Sequence, residues 1–221
     1  MHESPKWKVK YACTKMKYYS CLSVFKHQWD QVTSAVWQKY PNPYSKHVVS
    51  EDVIHRSLLP DGKRLYSQRL LTKTNRMPRW GNVVFGANAH LVSVIEESVV
   101  DPIKKTLTTY TRNLGYTTFM VVEEKCVYKQ SSENSSWTEL QRHVWVDSSL
   151  LGFARAIQKF GVERYKSNSV KSSKGIQYVI NKMFVPEQVS NDIPQKVEQL
   201  TKKAKAAQDL ARQGKRDHAV Q

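Results

Sequence analysis

The chain has 221 residues, 40 % of them hydrophobic, and a formal net charge of +16. That length fits one domain of ordinary size with a tail, and the charge points to an anionic partner: nucleic acid, an acidic membrane or a phosphorylated ligand. No run of about 18 apolar residues is present, which excludes a transmembrane helix, and the basic start "MHESPKWKVKYACTKMKYYS" lacks the apolar core of a secretory signal. The tail from residue 187 carries seven Lys/Arg and five Asp/Glu, so nearly all of the basic excess belongs to the folded part. Three cysteines, Cys13, Cys21 and Cys126, form no CxxC pair. The odd number argues against a disulfide framework, leaving small buried residues or a Cys13–Cys21 pair.

In chain order, "YYSCLSVFK" (18–26) is aromatic and branched and reads as a strand. Trp29, Val32, Val36, Trp37 and Tyr40 follow at helical spacing, and Pro41 ends that helix. "KYPNPYSKHV" (39–48) is then a stiff corner carrying cations and rings. If strand alternation starts there, at most one of Lys46 and His47 faces inward. Six strands are expected near 47–57, 63–74, 90–100, 104–113, 118–129 and 137–148. "PDG", "VDP" and "SSENSS" separate some of them as short turns that favour antiparallel hairpins. The longer connection 75–89, "NRMPRWGNVVFGANA", has the length and composition of a lid. From Ser148 the period becomes helical, through Ile157, Phe160, Tyr165 and Ile176 to Met183, with a possible kink at Gly161. Beyond Pro186, Ile193, Val197, Leu200 and three alanines form a weak stripe on a Lys-rich tail helix. Strands first and one long helix last give an α+β domain, a curved antiparallel sheet of about seven strands wrapped around a C-terminal helix. Such a fold can enclose a cavity.

The chemistry of most enzymes is missing from the pattern. No nucleophile elbow, P-loop, dinucleotide fingerprint or zinc spacing is present. Glu96–Glu97 and Glu123–Glu124 are adjacent on strands and point to opposite faces, so neither pair is an acid–base dyad by itself. Two basic constellations stand out instead. In "QRLLTKTNRMPRW" (68–80), Arg69 and Lys73 share a strand face and Arg76 follows. In "ERYKSNSVKSSKG" (163–175), Arg164, Asn168 and Lys171 share a helix face. Each is either a solvated polar face or part of an anion site, and a partly buried phosphomonoester needs several such donors.

"WQKYPNPYSKHV", "RLLTKTNRMPRW", "VVDPIKKTLTTYTRNL", "MVVEEKCVY" and "FGVERYKSNSVKSSKG" resemble, in the same order, the PRELI family of mitochondrial phospholipid-transfer proteins. The resemblance runs from about Met16 to Met183. It divides the chain into an N-terminal extension (1–15), a PRELI-like domain (16–185) and a C-terminal amphipathic tail (186–221). It is strongest to the PRELI branch, which carries phosphatidic acid. The slowmo branch, associated with phosphatidylserine, lacks the "SKHV" and "TKTNRMPRW" wording. The resemblance implies a START-like, phosphatidylinositol-transfer-like helix-grip fold with a lipid cavity and a lid. It implies no catalysis, metal or cofactor, only a carried lipid moved between the outer and inner mitochondrial membranes in support of cardiolipin synthesis. The expected location is the intermembrane space, in a complex with a small helical twin Cys-x9-Cys chaperone. The expected headgroup residues are Lys39, His47, Arg69, Lys73, Arg76, Arg164, Asn168 and Lys171. Met77, Pro78 and Trp80 are the expected membrane-touching residues of the lid. Another anionic phospholipid such as phosphatidylserine is the alternative cargo. A nucleic-acid binder is a further reading of the charge, but no RNA- or DNA-binding motif accompanies it.

Overall fold

The computed structural model describes residues 16–74 and 91–184. Strand β1 (Lys17–Phe25) leads into helix α1 (Trp29–Trp37). Six strands follow: β2 (Val48–Leu58), β3 (Leu65–Thr74), β4 (Leu91–Asp101), β5 (Thr106–Asn113), β6 (Val121–Gln130) and β7 (Thr138–Asp147). Helix α2 (Ala154–Phe184) ends the described part. By compactness the chain divides into Met1–Val179 and Ile180–Gln221, and the second unit is described only through the end of α2. The seven strands form one sheet in the order β1-β7-β6-β5-β4-β3-β2, every pair antiparallel.

Alternation sets the inner face. On β7, Leu140, Arg142, Val144 and Val146 are buried, while Gln141, His143, Trp145 and Asp147 between and after them are only half-buried. Val162 of α2 packs on Val144 and Val146, with Tyr19, Met120, Val122 and Tyr165 around them. Gly161 makes this contact possible, because a Cβ there would lie 2.7 Å from Val146 Cγ1 and 3.0 Å from Met120 Sδ. The glycine read from the sequence as a kink is a point of close approach between helix and sheet. A sheet gripping a helix against its inner face is the helix-grip arrangement expected from the sequence.

Two helix ends differ from expectation. α1 stops at Trp37, not Tyr40. Its start is secured by Gln28 and Gln31 in a reciprocal capping box. At its end the corner pulls the chain away: Asn42 Nδ2 donates to the Lys39 carbonyl, and Asn42 Oδ1 accepts from the Tyr44 N–H at 2.9 Å. Gly175 of α2 faces Asn42 so closely that a Cβ would sit 2.9 Å from the amide. α2 begins at Ala154, not Ser148, because side chains capture the intervening backbone. Ser148 N–H donates to Asp147 Oδ1 at 2.8 Å, Leu150 N–H to Ser148 Oγ at 3.4 Å, and Gly152 turns with φ of 80°. β6 starts at Val121 after a turn in which Tyr116 takes φ of 60°.

Candidate functional site

A cavity lies between the sheet and α2, with about 280 Å³ open to the centre of a water molecule. One part of its wall is apolar: Val92, Val94, Met120, Val122, Ile157 and Phe160. Another part is cationic. His47 from the corner, Lys73 from the end of β3, and Arg164, Asn168 and Lys171 from α2 all line it. Alternation delivers Lys73 because it follows buried Arg69 and Leu71 on the inner face of β3. Helical spacing delivers the α2 trio. His47 precedes β2 and is half-buried, whereas Lys46 is exposed, so one member of the basic pair faces inward.

The cations act on one another. Burial lowers the His47 imidazole below its ordinary value, and Lys73, Arg164 and Lys171 lower it further. Burial also lowers the Arg164 guanidinium, whose carbon lies 6.0 Å from the centre of the Phe160 ring. Two chain segments far apart in sequence, the end of β3 and α2, thus bring positive charge to one place beside His47. An anion with several acceptor oxygens fits such a place.

Lys39 and Arg69, expected to hold a headgroup, sit in a different electrostatic setting. Lys39 enters the cavity wall, but its Nζ donates to Glu96 Oε2 at 3.0 Å. Arg69 is 1 % exposed and lies outside this cavity wall. It bonds Glu96 Oε1 and Glu51 Oε1 and rests on the Trp37 ring, 4.8 Å from its centre. Register explains the pairing, since Arg69 and Glu96 are direct cross-strand partners on β3 and β4. Burial pushes the Glu96 carboxyl up, but Lys39 and Arg69 outweigh it and hold it down at about 2. Arg76, Met77, Pro78, Trp80, Cys13 and the tail helix lie outside the described residues.

A second polar group in the cavity wall was not anticipated. Glu124 Oε1 accepts from Tyr165 Oη at 2.6 Å and from Cys126 Sγ at 3.1 Å. Arg142 Nε stands 3.9 Å from the same oxygen. Its other nitrogens donate to Ser23 Oγ and Ser173 Oγ, both at 3.1 Å, tying β1, β7 and α2 together. Burial raises the Cys126 thiol well above its ordinary value, with Glu124 adding to the effect, so it stays protonated. The sequence signal was an inner-face alternation on β6, Val122–Glu124–Cys126–Tyr128, with a carboxylate inside an otherwise apolar series. The Glu96–Glu97 pair splits as alternation requires. Glu96 is buried in the ion network, and Glu97 accepts from Tyr66 and Gln68 instead.

The PRELI-like family profile matches residues 30–187. "PRELI domain-containing protein 1, mitochondrial" of Gallus gallus is 53 % identical over 190 residues, covering 86 % of this chain and 87 % of that protein. "Protein ups1 homolog" of Schizosaccharomyces pombe is 40 % identical over 159 residues, covering 72 % and 91 %. Among solved structures, the Zhui aromatase/cyclase of Streptomyces sp. R1128 superposes with a TM-score of 0.53 at 9 % identity, covering 77 % of this chain and 97 % of that one. At that identity the likeness concerns the fold alone.

Proposed function

We propose that this chain, which belongs to the PRELI-like family, is a mitochondrial phospholipid carrier whose cargo is phosphatidic acid. The observation that carries the reading is the meeting of Lys73, Arg164 and Lys171 around His47, on a cavity that also has an apolar stretch of wall, Val92, Val94, Met120, Val122, Ile157 and Phe160. A phosphomonoester holds about −1.5 to −2 charges at neutral pH and offers strong acceptor oxygens. Asn168 adds a neutral donor beside the cations. The acyl chains take the apolar wall.

Magnitudes favour a carrier. Each acyl CH₂ exposed to water costs about 0.8 kcal/mol, so two chains of about sixteen carbons cost on the order of 25 kcal/mol. A cavity that replaces water lowers that barrier without any chemical conversion. The proposed route runs between the outer and inner mitochondrial membranes, across the intermembrane space and in support of cardiolipin synthesis. The proposed partner is a small helical twin Cys-x9-Cys chaperone. Arg76 and the lid residues Met77, Pro78 and Trp80 belong to the same proposal.

Two measurements test the reading. Native mass spectrometry of the purified chain is expected to show one phospholipid whose mass fits phosphatidic acid. Transfer between donor and acceptor liposomes is expected for phosphatidic acid over phosphatidylserine, and Lys73→Glu is expected to abolish it with the fold intact. Unchanged transfer by Lys73→Glu and Arg164→Glu would sink the headgroup assignment.

A further inference from the structure

The turn that precedes α2 carries two bulky apolar side chains into water. Leu151 is 93 % exposed and Phe153 64 %, and Leu151 is the most exposed large hydrophobic among the described residues. Neighbouring groups hold this tip in a defined shape. Ser148 N–H is held by Asp147, Leu150 N–H by Ser148, and Phe153 N–H donates to the Leu150 carbonyl at 3.2 Å. Gly152, with its φ of 80°, turns the chain between the two apolar residues. Ser149 Oγ donates to the Thr118 carbonyl at 2.9 Å, which fastens the tip to the 114–120 turn. That turn adds Leu114, 44 % exposed, and supplies Tyr116 and Met120 to the cavity wall.

The stretch that carries the tip is basic. Between Asp147 and Glu163 the chain holds Arg155 and Lys159 and no acid. Both cations are exposed, and the first turn of α2 lacks the acidic residue that a helix start usually favours. Asp147 spends its Oδ1 on Ser148 and Gln158. An ordered apolar tip beside two exposed cations matches a surface with an apolar interior and an anionic face.

We propose that the Leu151–Phe153 tip is a docking point for anionic bilayers, with Leu151 and Phe153 entering the acyl boundary and Arg155 and Lys159 meeting lipid phosphates. The inference rests on the carrier reading above and deepens it, by placing a membrane contact outside the 75–89 lid connection. Ile157, one helical turn past Phe153, lines the cavity, so docking there brings the cavity wall close to the lipid surface.

The test is flotation of the full chain with phosphatidylcholine vesicles containing cardiolipin, and with vesicles of phosphatidylcholine alone. The wild type is expected to float with the anionic vesicles and to detach as salt is raised. The double variant Leu151→Ser/Phe153→Ser is expected to bind at least about tenfold more weakly, with unchanged thermal unfolding and an unchanged copurifying lipid. Leu151→Met/Phe153→Trp is expected to keep binding. Equal flotation of the serine variant and the wild type overturns the proposal, and so does a wild type that floats with neither vesicle. Tip-dependent flotation of a chain that carries no lipid would overturn the carrier reading and leave the docking point standing.

Discussion

Lys39 and Arg69 hold opposite oxygens of one carboxylate: Lys39 Nζ lies 3.0 Å from Glu96 Oε2, while Arg69 takes Glu96 Oε1. The carboxylate is therefore the keystone of a buried ion network that joins α1's corner, β3 and β4. Removing it leaves Lys39 without its carboxylate partner and Arg69 with Glu51 alone.

Glu96→Gln is expected to destabilise the fold by about 3–5 kcal/mol, read by urea unfolding. Lys39→Met is expected to lose less, because Arg69 remains on Glu96. The acid profile follows from the depressed Glu96 value of about 2. Stability from this group is present above about 4.5, the ordinary value for a glutamate. It is lost as pH falls from there through about 2, and the Gln variant is expected to lack that part of the slope.

At Arg164, the shape of the charge matters as well as its sign. Arg164→Gln is expected to slow phosphatidic acid transfer by about 10- to 100-fold, the loss of one charge-assisted bond of about 1.5–3 kcal/mol. Arg164→Lys is expected to fall between that variant and wild type, because it keeps the charge and loses the planar fork. Initial rates of liposome transfer decide both.

His47 ties stability of the ligand-free protein to pH. Burial, then Lys73, Arg164 and Lys171, hold its value below the ordinary 6.5. In the unfolded chain His47 protonates first as pH falls, so the unfolded state binds the extra proton and stability drops below about 6.5. The drop levels off once pH is below the folded value. His47→Gln is expected to flatten this segment of a melting-temperature curve, and added phosphatidic acid is expected to oppose the drop in wild type.

Gly161→Ala pits two effects against each other. Alanine in a helix interior gains about 1 kcal/mol over glycine, but the new Cβ meets Val146 Cγ1 at 2.7 Å. Overpacking of this kind costs about 1–3 kcal/mol, so a net loss of stability is expected in thermal unfolding. Gain of stability instead would show that α2 can retreat from the sheet.

Strand and helix existence was legible because period-2 alternation and turn residues are local signals. Lys73, Arg164, Asn168 and Lys171 came from the same rules, with the corner supplying His47. What was not legible is pairing. Arg69 looked like a free cation in "QRLLTKT", since its partner Glu96 sits 27 residues away and meets it only through β3–β4 register. Glu124 was set apart from Glu123 by alternation but given no partner, and its partners are Cys126, Tyr165 and Arg142. Helix ends failed for a local reason: Asp147, Ser148 and Asn42 side chains bind backbone groups that periodicity alone assigns to helices.

The strand order also orders the folding of the chain in time. β1 leaves the ribosome first, yet its neighbour is β7, and Tyr18 meets His143 across 125 residues. The sheet therefore cannot close until its last strand is synthesised. Every earlier length of chain keeps β1 and one side of the core without a neighbour. Contacts this distant in sequence make folding slow, so the core is complete only after β7 and α2 have been made.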